Sequence, residues 1–203
     1  MSATRFTLAA PAELAQDVRK SRFLARAAPL ANEDAVAPWL AAVADVGATH
    51  NCWAWRFGQR YRFSDDGEPA GTAGRPILQA IDGQRLDGVA VVVTRWFGGI
   101  KLGAGGLMRA YGGCAAECLR LAPKLPIVAT AAFEFALAFA EIAPLRAKLA
   151  GCGAEIETET YAADGVNWRV RLPLAQADAL RRVLADATRG RVVLRETDDA
   201  TSD

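Results

Sequence analysis

The segment RFSDDGEPAGTAGRPIL, residues 62–78, sets three carboxylates, Asp65, Asp66 and Glu68, within four positions. Acids this close can bind Mg²⁺ through one or two oxygens, or take a proton as a general base. They also have a plainer use, since Asp66-Gly67 is a turn dipeptide and Asp side chains bond nearby backbone. In that reading the acids form a turn and pair with Arg62, Arg75 or Arg95. No second cluster of metal ligands stands elsewhere in the chain, so neither a metal nor a cofactor is expected.

Two glycine-rich stretches offer a different chemistry. Gly71-Thr72-Ala73-Gly74-Arg75 and Gly98-Gly99-Ile100-Lys101-Leu102-Gly103 each open a helix beside a basic residue. Free N–H groups, the helix dipole and a cation together make an anion site. The candidate anion-binding set is therefore Thr72, Gly74, Arg75, Arg95, Gly98, Gly99, Lys101, Gly103, Gly105, Gly106 and Arg109. Asp65, Asp66 and Glu68 would orient those cations. The competing reading gives the glycines to tight turns and close helix–strand contact. Neither stretch fits GxxxxGK[ST], and neither is a GxGxxG following a strand in a nucleotide-binding unit, so nucleotide hydrolysis gains no support. His50 and Asn51 form a possible polar patch at a strand start. His50 is the only histidine, and no Ser or Cys pairs with it at a recognisable spacing. It reads as a general base or as a structural residue, and no catalytic residue can be assigned. Trp96, next to Arg95, reads as core or as a surface on which a base stacks.

The elements that must hold these residues follow from periodicity. Residues 22–28 read as a strand and Glu33–Val46 as a helix. Alternation from Cys52 to Phe63 around Gly58-Gln59 predicts a hairpin. Thr72 is placed to cap a helix through Ile77, Leu78 and Ile81. The β-branched run Val89–Thr94 predicts a strand buried on both faces. Leu107, Tyr111, Cys114, Cys118 and Leu121 make the apolar stripe of a long helix, with Arg109 and Arg120 on another face. Leu121–Ile127, with two prolines, reads as a linker. The second half reads β-α-β-β-α-β. Its strands are Phe133–Phe139, Ile156–Tyr161, Val166–Leu172 and Val192–Leu194, and its helices carry Ile142, Leu145, Leu149 and Leu180, Val183, Leu184. Glu155, Glu157 and Glu159 face Arg169 and Arg171 across the hairpin, a pattern suited to charge pairing on a solvated sheet. Thr197–Asp203 is expected to be disordered.

Bulk composition narrows the classes. The chain has 203 residues, 52% apolar and 23% charged, enough for one large or two small cores. Its net charge of +1 excludes a strongly basic tail. Residues 1–128 carry 15 basic against 11 acidic side chains, and the remainder 9 against 12. A mildly basic front half permits a polyanion partner. Early charges at Glu13, Asp17, Arg19, Lys20 and Arg22 interrupt any secretory apolar stretch. No apolar run approaches membrane-spanning length. Four cysteines without CxxC spacing suit reduced thiols, so a cytoplasmic setting is expected.

HNCWAW, FSDDGEPAGTAGRPIL and VVVTRWFGGIKLGAGGLMRAYGG resemble the signature blocks of the YigZ/IMPACT family. The resemblance begins near Lys20-Ser21-Arg22-Phe23, and the β-α-β-β-α-β half resembles the smaller C-terminal domain of bacterial, YigZ-type members. By motif it covers His50, Ser64, Asp65, Asp66, Gly67, Glu68, Pro69, Thr72, Ala73, Gly74, Arg95, Gly98, Gly99, Lys101, Gly103, Gly105, Gly106 and Arg109. Arg75 stands where Lys is common, and Trp96 where Tyr or Phe is common. The resemblance implies an α+β protein of two α/β sandwich domains, residues 1–127 and 128–203. The first would share the fold of elongation factor G domain IV, and the second would be ferredoxin-like, as domain V is. It also implies a role in translation. Eukaryotic members regulate it through a protein partner, using a module without counterpart here, and bacterial members point to nucleic acid or the ribosome. The expectation is a non-enzymatic regulator binding RNA or the ribosome, without a membrane. An enzyme acting on a small phosphorylated or carboxylated ligand, or a protein–protein module, are the alternatives.

Overall fold

In the computed structural model, which describes residues 4–197, the buried apolar side chains before and after Ile127 form separate cores. The two units, residues 1–127 and 128–203, both mix helices with antiparallel sheet.

The first unit runs β1 (Phe6–Leu8), β2 (Ala12–Val18), β3 (Ser21–Pro29), α1 (Val36–Val43), β4 (His50–Phe57), β5 (Arg60–Ser64), α2 (Gly74–Gly83), β6 (Val89–Trp96), α3 (Ala104–Leu121) and β7 (Lys124–Pro126). Its main sheet has the order β2-β3-β6-β4-β5. The β-branched run lands in the middle, as β6, which is why it needs no polar face. Val89, Val91 and Val93 enter the core with Ile77 and Ile81 of α2 and Tyr111, Cys114 and Cys118 of α3. Ala90 turns the other way and joins Val36 and Trp55. The β4–β5 hairpin turns at Gly58-Gln59 as its alternation requires.

Four expectations for this unit need correcting. The first helix stops at Val43 instead of Val46, because Asp45 Oδ1 accepts the Gly47 N–H at 2.7 Å and bends the chain away, leaving Val46 exposed. Leu121 is 60% exposed and ends the α3 stripe early. Residues 121–127 are no free linker, since Lys124–Pro126 pairs as β7 with β1. Thr72 does not cap α2: its hydroxyl donates to the Pro69 carbonyl at 2.6 Å, and the N-cap position falls to Ala73.

The second unit runs β8 (Thr130–Ala138), α4 (Phe139–Gly151), β9 (Glu155–Tyr161), β10 (Gly165–Pro173), α5 (Ala177–Thr188) and β11 (Arg195–Thr197). The sheet order β11-β8-β10-β9, antiparallel between all neighbours, is the split β-α-β arrangement. Trp168, Phe133, Leu145 and Leu180 fill the space between sheet and helices. The closing strand lies later than Val192–Leu194. Thr188 Oγ1 accepts the Val192 N–H, and pairing with β8 begins only where Arg195 meets Glu134. Thr197 is thereby paired, and the rest of the expected disordered tail, residues 198–203, lies outside the described residues. The expected cross-strand charges pair in part: Arg169 reaches Glu157 at 3.1 Å and Glu134 at 3.3 Å, and Arg171 binds Glu157, but Glu159 lies opposite the buried Trp168, past an irregularity in the β9–β10 register, and is taken by Arg146 of α4. No helix among the described residues is long and apolar enough to cross a membrane.

Candidate anion-binding cleft

Each acid of the DDGE segment has a separate structural task. Asp65 leaves β5 and points at the start of α2. Its carboxylate accepts the N–H groups of Gly71, Ala73 and Gly74 at 2.7, 2.9 and 2.8 Å. A side chain eight or nine positions upstream thus does the work of an N-cap. Burial opposes ionisation of Asp65, but these three N–H donors outweigh it and hold the carboxyl below its ordinary 3.8. Asp66 sits in the left-handed region at φ 42°. From there its Oδ2 accepts the Asn51 N–H at 2.6 Å, and its carbonyl accepts His50 Nδ1–H at 2.7 Å.

Glu68 goes inward. One of its oxygens, Oε1, accepts a guanidinium N–H of Arg95 at 2.6 Å and the Tyr111 hydroxyl at 2.8 Å. The side chains of Arg95 and Glu68 are only 6% and 4% exposed. Arg95 also donates to Ser21 Oγ at 3.3 Å and lies 5.3 Å from the Phe97 ring, while its Nε–H has no partner among the described residues. Two buried opposite charges are tolerated only because each is hydrogen-bonded to the other and to a further group. Burial pushes the neighbouring Cys52 thiol up to about 12, which removes it as a nucleophile.

Two motif glycines are explained by close packing of the chain on itself. A Cβ at Gly74 would lie 2.6 Å from the Ser64 carbonyl, and one at Gly98 only 1.8 Å from that of Lys20. Neither contact leaves room for any side chain, so these two glycines weld β5 to α2 and the β2–β3 turn to the segment after β6.

Above the Glu68–Arg95 pair opens a cleft of about 450 Å³. Its polar wall is Thr49, His50, Glu68, Arg95 and Lys101, and its apolar wall is Pro69, Phe97, Leu102 and Leu107. Gly103, just before α3, and Ala104, its first residue, complete it. That helix has Gly103 at its N-cap, no side-chain cap among the described residues and no acid in its first turn, which leaves its leading N–H groups suited to an anion. Phe97 is 46% exposed at the rim.

The cleft therefore gathers His50, Glu68, Arg95, Lys101 and Gly103 from the candidate residues. It does not include Asn51, Asp65, Asp66, Thr72, Gly74, Arg75, Gly98, Gly99, Gly105, Gly106 or Arg109 among its lining. Gly105 and Gly106 lie inside α3 and not in the loop before it. Arg75, Lys101 and Arg109 are exposed and make no ion pair among the described residues. Trp96 is half-buried, with the Arg22 guanidinium 5.2 Å from its ring centre. Sequence reasoning missed Ser21, Thr49, Phe97, Leu102 and the Tyr111 hydroxyl. Tyr111 had a signal: a tyrosine on a core stripe needs a partner for its O–H. Among the described residues, no three His, Cys, Asp or Glu side chains group closely enough to hold a metal ion.

Comparisons with known proteins agree over both units. Residues 19–119 match the Impact N-terminal domain, and residues 135–191 match a domain of unknown function, DUF1949. A Thermus thermophilus protein, described as an IMPACT family member in the pol 5'region, is 48% identical over 86% of this chain and 97% of its own length. The IMPACT family member YigZ of Escherichia coli (strain K12) is 36% identical over 92% of this chain and 94% of its own. A crystal structure of a hypothetical protein, 32% identical, covers 98% of this chain and all of its own with a TM-score of 0.73.

Proposed function

The chain belongs to the IMPACT family, and on that premise we propose that it is an RNA- or ribosome-associated regulator acting in translation. It holds phosphate groups where α3 begins. One observation carries this reading: an uncapped helix N-terminus, free of acids, opens into a cleft beside Lys101, a cation with no ion pair among the described residues. Arg109 of α3 and Arg75 of α2 are further exposed cations of the same unit, and the excess of basic residues in the first 128 favours the same sign. Arg95 has a different role from Lys101. Neutralised by Glu68, it is a positioning residue that fixes the cleft's floor. The likeness of the signature blocks to a family whose domains resemble domains IV and V of elongation factor G supports the ribosome as the setting.

The test is cosedimentation with ribosomes and with RNA across a salt series, wild type beside the double variant Lys101→Ala/Arg109→Ala. Binding by wild type that weakens with salt and is lost in the variant is the expected result. Equal binding by the variant, or binding indifferent to salt, refutes the reading.

A second reading, an enzyme acting on a small anionic ligand, is favoured by the presence of His50 and Glu68 in the same cleft. Thermal-shift measurements with millimolar phosphorylated and carboxylated ligands separate the two, since the enzyme reading requires at least one of them to stabilise the fold.

A further inference from the structure

We propose that the rim of this cleft holds a single strand of nucleic acid by stacking one base on the Phe97 ring. The neighbouring phosphates then lie at Lys101 and at the β2–β3 turn, Arg19-Lys20. The inference rests on the reading above and names the form of its ligand.

Phe97 is built as a platform. Its N–H donates to Thr49 Oγ1 at 2.9 Å, and the N–H of the next residue, Gly98, donates to Ser21 Oγ at 3.3 Å. The backbone is thus held on both sides of the peptide bond that follows the ring. The Arg95 guanidinium lies over the ring, 5.3 Å from its centre. Arg95 is buried and held by Glu68, so it gives the ring a fixed backing. Phe97 is nevertheless half-exposed, and it lines the cleft. A ring fixed from behind and open in front loses little freedom when a flat base settles on it.

The β2–β3 turn supplies a separate observation. Arg19 and Lys20 are the two residues of a tight hairpin turn, and both have positive φ, 45° and 69°. Asn-Gly or Gly-Gly fits such a turn readily, whereas a long side chain is strained there. Against that preference the chain sets two exposed cations in the turn, neither with an ion pair among the described residues. A Cβ at Gly98 would lie only 1.8 Å from the Lys20 carbonyl, so the turn abuts the residue next to Phe97. Lys101, equally without an ion pair among the described residues, follows the Gly98-Gly99 bend into the cleft. A flat ring among three such cations matches an unstacked base with its phosphates, which a single strand offers and a duplex does not.

The experiment is fluorescence anisotropy with the full chain at low salt. The probes are short labelled oligo(A) and oligo(U), a duplex of equal length, AMP as competitor and an oligoglutamate peptide. Both strands are expected to bind at least about fivefold more tightly than the duplex, the worth of one stacked base. Phe97→Leu keeps an apolar side chain and removes the flat face. It is expected to weaken strand binding at least about fivefold, with the salt slope and melting temperature of wild type. Arg19→Asn/Lys20→Gly suits the turn and should melt no lower than wild type. It should still bind more weakly, with a salt slope shallower by about 1.4.

Strand and duplex binding alike, or strand binding unchanged in Phe97→Leu, overturns the proposal. So does an unchanged slope in the turn variant, or AMP binding as tightly as oligo(A). Oligoglutamate binding as tightly as the strands assigns the surface to an acidic protein segment and also overturns it. Any of the first three results, with binding lost in Lys101→Ala/Arg109→Ala, sinks the stacked strand and leaves phosphate binding standing. No binding of any nucleic acid probe sinks both.

Discussion

Both units of this protein set arginines against glutamates, and they do so under opposite conditions. In the first, Arg95 and Glu68 are almost wholly buried, and a tyrosine and a serine hydroxyl add to their hydrogen bonds. In the second, Arg169 and Arg171 share Glu157 on an exposed sheet face, and Arg169 also reaches Glu134. The exposed ladder gains little, because water screens it and each long side chain gives up rotamer freedom. The buried pair is expensive to build and more expensive to break. A fold keeps such a pair where it must hold a shape, and here the shape is the floor of the cleft. The pairing chemistry is the same in both places, and burial alone decides which one specifies a site.

The largest expected effect follows directly. Glu68→Ala strands the Arg95 charge in the core and should lower unfolding free energy by about 3–5 kcal/mol in denaturant titration. A loss below about 1 kcal/mol would erase the contrast between the two units. The next effect sharpens the account of the same loop. Asp65→Ala removes the acceptor for three N–H groups at α2 and should cost about 0.5–2 kcal/mol. Its sign with pH is fixed. The folded carboxyl titrates below the ordinary value of 3.8, so its contribution is complete above that pH and is lost as pH falls through the lower folded value. Wild type should therefore lose stability on acidification below about pH 4 more steeply than Asp65→Asn does. The smallest effect belongs to the ladder. Glu157→Ala should change stability by about 0–1 kcal/mol, Arg169 retaining Glu134.

Much of the frame was readable from local pattern. Alternation gave the β4–β5 hairpin, and the Val-rich run gave the central strand. What escaped was set by tertiary contact. Nothing local says that Asp65 caps a helix beginning nine residues later, so Thr72, with the right side chain beside the right helix, was the natural choice. Arg95 carried a signal that the motif obscured. Continuing the two-residue period of Val89, Val91 and Val93 puts Arg95 on the core face, where a charge must find a counter-ion. Among the candidate residues, Lys101 was legible as an exposed cation by a helix start, whereas Phe97 and Leu102 reach the cleft only because the chain folds back through Gly98 against Lys20.

The most direct test of the central claim measures single-stranded RNA binding by fluorescence anisotropy from low to moderate salt. Wild type, Lys101→Ala and Arg171→Ala would be compared. With about three phosphates met, log affinity should fall against log salt with a slope of about −2 for wild type. Lys101→Ala should bind more weakly with a slope shallower by about 0.7, and Arg171→Ala should match wild type. Equal losses in the two variants, or no dependence on salt, would contradict the assignment of the anion site to the start of α3.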